Sequence, residues 1–387
     1  MTGLAGQGAY AGGSDRPEKD TLRVGFMPLA DCAPLVMASV LGFDAKYGIE
    51  LVLERQHSWS AMRDRLTSGA LDAAQVLYGL LYGLQMGVGS APRDMAVLMN
   101  LNQNGQSIVL ARALQQRGVK DGDSLAALMH GETRETRRYT FAHTFPTGNH
   151  AMWLCYWLAA AGIDPLRDAS LVTVPPAQMA PNLEAGHMDG FCAGEPWSRR
   201  ALLGGAGFLA APSSQVWPDH PGKALGARQD FVAAHPNACR ALVAALLDTA
   251  RWLDASPVNR EAAAEVLAGA AYVNADVQLL RACLLPRRGD WPVLRFFGGG
   301  EASFPWLSDG MWFLTQQRRW GLLREDPDYL AVAGAVNQVG LYREAAQLAG
   351  VAVPAGSLRS ATLMDGKVWD GSDPAGYARS FPIHDLR

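Results

Sequence analysis

With 387 residues, 49% of them hydrophobic and 18% charged, the chain is too long for one ordinary domain and too apolar to be disordered. A formal net charge of -3 supplies no field for nucleic acid or an acidic membrane, and the densest basic run, Arg134 to Arg138 around Glu135, reads as solvated loop. Five cysteines, Cys32, Cys155, Cys192, Cys239 and Cys283, stand singly and in odd number, which argues against a disulfide framework or a zinc knuckle.

In chain order, residues 1–21 read as a flexible N-terminus, rich in Gly and Ala and without the basic and apolar regions of an export signal. The expectation is a cytoplasmic protein with reduced thiols. Gly6 to Gly12 imitates a dinucleotide fingerprint, but it precedes the first credible strand and lacks the strand–turn–helix setting. Leu22 to Met27 is predicted as a buried strand, and Asp31 as the cap of a helix through Leu41. Ile49 to Leu53 follows as a strand, then a helix Trp59 to Ser68 capped by Ser58, then strand Leu71 to Leu77. Ala74 to Met86 comes nearest to a membrane span but is short and broken by Gly79 and Gly83. The β-α-β-α-β order implies a parallel sheet.

A second unit of the same kind follows. Ser107 to Ala111, Tyr139 to Ala142, Leu171 to Val174 and Asp189 to Cys192 read as strands, with helices over Asn149 to Ala161 and Ala177 to Ala185. Beyond Lys223 the chain turns mainly helical, as in Pro236 to Leu253 and Glu261 to Leu267. Gly298 to Gly300 is a loop before the Trp-rich stretch Trp306 to Trp320, and a Pro/Gly-rich tail from Val353 reads as a surface wrap. In open parallel sheets ligands sit beyond the carboxyl ends of strands, where helix N-termini present free N–H groups. That singles out His57-Ser58-Trp59, Thr147 to His150 and Ala193-Gly194-Glu195.

No P-loop, Gly-x-Ser-x-Gly elbow or His-Glu-x-x-His occurs, and the eight histidines show no metal spacing. Cys192 lies near His187, Asp189 and Glu195, yet strand alternation sends neighbouring side chains to opposite faces, so a buried thiol is the simpler reading. Neither catalysis nor a cofactor is expected.

Several stretches then carry a family likeness: Gly25 to Leu35, Ser58 to Asp64, Leu101 to Gln106, His150 with Tyr156 to Gly162, Pro175 to Met179, Met188 to Trp197 and Lys223 to Arg228. In this order and spacing the chain resembles nitrate/nitrite-binding proteins of the NrtA/NasS type, most of all the cytoplasmic sensor NasS. The resemblance implies an α/β, two-lobed, type II periplasmic-binding-protein-like fold. Lobe one would hold residues 22–105 and 222–387, and lobe two residues 106–221, with the anion in the cleft between them. It places the nitrate contacts on Trp59, Gln106, His150, Gly194 and Lys223. Each has an ordinary role too, as core indole, turn amide, helix-start imidazole, turn glycine or solvated ammonium. Together they suit an anion: Lys223 supplies a countercharge, Gln106, His150 and the Gly194 N–H supply neutral donors, and Trp59 offers an indole edge or a flat wall. Glu195-Pro196-Trp197 reads as helix-start architecture beside the site. Bicarbonate-binding relatives carry an acidic residue just after the site lysine, and Ala224 stands there in this chain, which favours nitrate or nitrite. The role implied is that of a cytoplasmic sensor which releases an RNA-binding antiterminator of the NasT type when the anion binds, with no direct contact to nucleic acid or membrane. The alternatives are a receptor component of an ABC uptake system and, since distant relatives of the fold work in pyrimidine biosynthesis, an enzyme.

Overall fold

The computed structural model describes residues 15–132, 137–285 and 294–386. The glycine-rich imitation at Gly6 to Gly12 and most of the basic run (residues 134–136) lie outside them. Ten strands build two sheets: β1 (Thr21–Phe26), β2 (Glu50–Arg55), β3 (Ala73–Leu77), β4 (Met95–Asn100), β5 (Gln106–Ala111), β6 (Tyr139–His143), β7 (Ala169–Thr173), β8 (Gly190–Gly194), β9 (Gly207–Pro212) and β10 (Lys223–Arg228). The first sheet runs β2-β1-β3-β10-β4 and the second β7-β6-β8-β5-β9. The fold is therefore two-lobed and α/β, as expected.

The sheets are mixed, which corrects the expectation of parallel ones. In the first, β1 is parallel to β2 and β3, while β10 is antiparallel to β3 and β4. In the second, β6 is parallel to β7 and β8, while β5 is antiparallel to β8 and β9. The reversed strands β5 and β10 are those the chain enters just after crossing from the other sheet. No helical crossover within one sheet feeds them, so the rule that makes β-α-β strands parallel does not act on them.

Ser58 caps the helix Trp59–Thr67 with its hydroxyl, as its position suggests. Asp31 does not cap its helix. A 3-10 turn at Ala30–Cys32 precedes the helix Ala33–Val40, which has Pro34 in its first turn and no side-chain cap, and Asp31 is buried. The helix expected over Ala177 to Ala185 is split into a 3-10 turn at Pro176–Gln178 and the helix Met179–Glu184.

The N-terminal segment is pinned from its first described residues. Lys19 pairs with Asp72 at 2.7 Å, and the Glu18 carboxylate accepts the Asn237 and Ala238 N–H groups. The carboxylate thus sits at the positive end of the long helix Pro236–Ala255.

At the C-terminus the helix Leu307–Arg319 sends Trp312 onto Trp153 of the helix Asn149–Ala160, with ring centroids 4.9 Å apart. The tail continues over the second lobe. Tyr156 OH donates to Asp365, Met364 N–H donates to the Val216 carbonyl, and Trp369 and Phe381 are buried. It is more than a surface wrap: its aromatic residues are part of a core shared by both lobes.

Candidate functional site

The two crossings between the sheets run side by side. Leu101 N–H donates to the Lys223 carbonyl at 2.7 Å and Gly222 N–H to the Asn102 carbonyl at 2.8 Å, while the Asn102 side-chain oxygen accepts the Lys223 N–H at 3.0 Å. Asn104 and Gly105 turn the outgoing chain with φ of 62° and 83°, a left-handed pair that Gly adopts without strain and Asn tolerates. This arrangement delivers Gln106 as the first residue of β5 and Lys223 as the first residue of β10.

The lobes are closed on each other. Ala30 N–H donates to the Glu195 carbonyl at 2.9 Å, and the Trp197 indole donates to the Pro28 carbonyl at 3.0 Å. Asn149 takes the Gly79 N–H on its side-chain oxygen and donates to the carbonyls of Pro221 and Gly222. The segment Glu195-Pro196-Trp197 is thus helix-start architecture that also touches the opposite lobe.

Between these contacts the structure gathers all five residues singled out from sequence. Trp59 opens its helix, His150 lies in the first turn of its own, Gly194 ends β8, and Gln106 sits opposite Gly194 in the β5–β8 register. The Lys223 ammonium is 5.9 Å from the centre of the Trp59 ring. A methyl group built on Gly194 would stand 3.6 Å from Lys223 Nζ and 3.7 Å from His150 Nε2. Gly194 therefore keeps clear the space that both nitrogens face. All of this is sealed, with relative exposures of 0% for Lys223 and His150, 1% for Trp59 and 2% for Gln106.

Three N–H-bearing atoms in this set, Trp59 Nε1, Gln106 Nε2 and His150 Nε2, are buried without a hydrogen-bond partner among the described residues. Each unsatisfied donor costs roughly 1–3 kcal/mol. Their orientation is enforced. The Trp153 indole donates to Gln106 Oε1 at 2.5 Å, which fixes the direction of the amide nitrogen. Thr144 Oγ1 lies 2.5 Å from His150 Nδ1, and the tautomer in which Thr144 donates carries its proton on Nε2. Burial, and after it the Lys223 charge, holds the His150 imidazolium pKa well below its ordinary value, so the ring is a neutral donor. Three neutral donors and one ammonium converging from both sheets suit a ligand that only accepts hydrogen bonds.

One group at the centre escaped the sequence reading. Asp31, taken there as a helix cap, accepts from Lys223 Nζ at 2.8 Å on one oxygen and from Gln75 Nε2 at 2.5 Å on the other. Gln75 is held in turn by the Met27 N–H, which donates to its oxygen at 2.9 Å. Burial raises the Asp31 carboxyl above its usual range and the Lys223 charge opposes that. Both oxygens accept N–H bonds, which is the geometry of an ionised carboxylate. The available signal was its position inside the stretch Gly25 to Leu35, at the carboxyl end of β1 where site residues collect. Cys192, set aside as a nucleophile, is fully buried with its thiol pushed up by burial.

A profile of the NMT1-like family matches residues 15–268. The chain is 35% identical to the nitrate/nitrite binding protein NrtA of Synechocystis sp., over 97% of this chain and 88% of that protein. It is 32% identical to the bicarbonate-binding protein CmpA of Synechococcus sp., over 97% and 90% respectively. The crystal structure of the periplasmic nitrate-binding protein NrtA from Synechocystis matches with a TM-score of 0.88 at 34% identity, covering 95% of this chain and all of that one. With this fold and these relatives, which are binding proteins rather than enzymes, the chain belongs to the NMT1-like family, alongside the NrtA proteins.

Proposed function

We propose that the chain binds nitrate or nitrite in the sealed cleft between its lobes and serves as a cytoplasmic sensor that frees an RNA-binding antiterminator of the NasT type when the anion binds. The observation that carries the anion is the set of buried, unpartnered donors on Trp59, Gln106 and His150 around the Lys223 ammonium. Nitrate is a planar monoanion whose oxygens only accept, so donors from both lobes suit it, and contacts to both lobes favour the closed state. On this reading lobe one is residues 22–105 and 222–387, lobe two is residues 106–221, and the paired crossings are the hinge. The sensor role rests on the resemblance to NasS read from the sequence. The receptor of an uptake system is the second reading, favoured by the match to a periplasmic NrtA.

The test has two stages. Calorimetry with nitrate, nitrite, bicarbonate and sulfate should give saturable binding of one or both nitrogen oxyanions, and absence of that heat sinks the ligand. Size exclusion of the chain with the antiterminator protein, across a nitrate titration, should then show a complex that dissolves as nitrate saturates. A coupling of about 1–3 kcal/mol would change the partner's affinity roughly 5- to 150-fold. A complex indifferent to nitrate, or none at all, puts the uptake receptor in front.

A further inference from the structure

Lys223 is the cation that faces the space left by Gly194, and it does not face it alone. One of its three ammonium hydrogens is engaged by Asp31 at 2.8 Å, with both side chains out of solvent. The carboxylate is not a passing partner. It sits in the 3-10 turn Ala30–Cys32 directly after β1, and Gln75 on β3, itself tied to the Met27 N–H, holds its other oxygen. The remaining titratable groups nearby leave that balance unaltered. His150 is neutral, and the Glu195 carboxyl, which burial raises and the neighbouring Arg199 charge opposes, is turned to the Arg199 N–H and to Ser107 and Cys283, so it adds no unbalanced charge beside Lys223. The cleft therefore carries one positive and one negative charge before any ligand enters, and sums to zero.

A site of zero net charge treats anions differently from a site of one positive charge. A monoanion leaves a buried excess of one negative charge, spread over four converging nitrogens. A dianion leaves two, and the cost of burying charge rises steeply with its magnitude. We propose that Asp31 is a specificity-determining residue, which by neutralising Lys223 restricts the cleft to singly charged oxyanions and shuts out doubly charged ones such as sulfate. It need not touch the ligand: it acts through the lysine. The inference rests on the anion-binding reading above and assigns Asp31 a task that a helix cap or a purely structural ion pair would not perform.

Asp31→Asn tests it, since the shape of the side chain is kept while its charge and one of its two acceptors are lost. Asp31→Ser is the second variant in case the amide is poorly tolerated beside the ammonium, and circular dichroism checks that each is folded. Wild-type and variant proteins are titrated by calorimetry with sodium nitrate and sodium sulfate at neutral pH. The expected result is a fall of at least tenfold in the ratio of the sulfate to the nitrate dissociation constant. An unchanged ratio in folded variants, with nitrate still bound, overturns the charge filter and leaves nitrate binding standing. Sulfate binding by the variants, when the wild type binds neither anion, keeps the filter and removes nitrate. No binding by any of the proteins removes both.

Discussion

At the scale of the residue, the Lys223–Asp31 pair decides how the site must be probed. Removing one member of a buried ion pair strands the other and costs about 3–5 kcal/mol, whereas removing both together is often close to neutral. Lys223→Met should therefore lower stability by about that amount as well as abolish anion binding, and Lys223→Met with Asp31→Asn should regain most of the stability without regaining binding. Urea denaturation and calorimetry on the two proteins check this, and equal stability would mean that the pair does not matter to the fold. The buried histidines predict a pH effect. Burial lowers His143 to about 4 and His220 to about 3 from an ordinary 6.5. A depressed folded value means that the unfolded chain takes up the proton first, so stability present above pH 6.5 is lost as pH falls toward 4 and then 3. Between pH 7.5 and 5 the loss is roughly 2 kcal/mol for each histidine. Asp31 and Glu195, raised by burial, act in the opposite sense, so the informative quantity is the difference from a variant. His220→Phe should show a shallower fall in unfolding free energy over this range, and a parallel fall would exclude His220. At this scale the strand-to-helix turns pointed to the segments that hold Trp59, His150 and Gly194, whereas Gln106 and Lys223 came only from the family resemblance, since each opens a strand that local pattern does not mark as a site. It hid Asp31, because an aspartate shortly before a proline-led helix looks the same whether it caps the helix or turns inward to a lysine 192 positions away.

At the scale of the element, the β-α-β units were legible from alternating apolar runs and turn residues, and their limits fell within a few residues of those observed. The strands β4, β9 and β10 were not. Met95–Asn100 is buried throughout, so it shows no alternation, and Lys223–Arg228 lies just where the sequence pattern changes from mixed to helical. Their pairing depends on segments far away in sequence, which local patterns do not record. One packing detail at this scale predicts behaviour. The helix Tyr78–Gln85 meets the turn before His150 through Gly79, and a methyl group at that position would lie 2.3 Å from the Thr147 carbonyl oxygen, a backbone atom that cannot swing aside. Alanine is about 1 kcal/mol better than glycine inside a helix, so Gly79→Ala should not harm the helix itself. It should instead hold the lobes apart, with nitrate affinity reduced by tenfold or more and a larger radius of gyration in small-angle scattering with nitrate. An affinity equal to wild type would show that the lobes can close without this contact.

At the scale of the whole molecule, two α/β units in tandem were evident from the restart of the β-α-β pattern, while the return of the chain to the first sheet through β10 was implied only by the family resemblance. The extent to which the C-terminal helix and tail span both lobes was not evident, since the Pro/Gly-rich composition beyond Val353 reads as a surface wrap although Trp369 and Phe381 within it join the same core as Trp312. The sealing of the cleft has its own consequence. With Lys223 and His150 wholly out of solvent, an ion enclosed there as proposed would offer nothing to a molecule outside. Whatever responds to occupancy has to respond to posture, that is, to how the rims of the lobes stand. Two ions that allow the same posture are then one message to the listener, however unequal the concentrations needed to send it. Discrimination among ions is completed inside, before anything is announced.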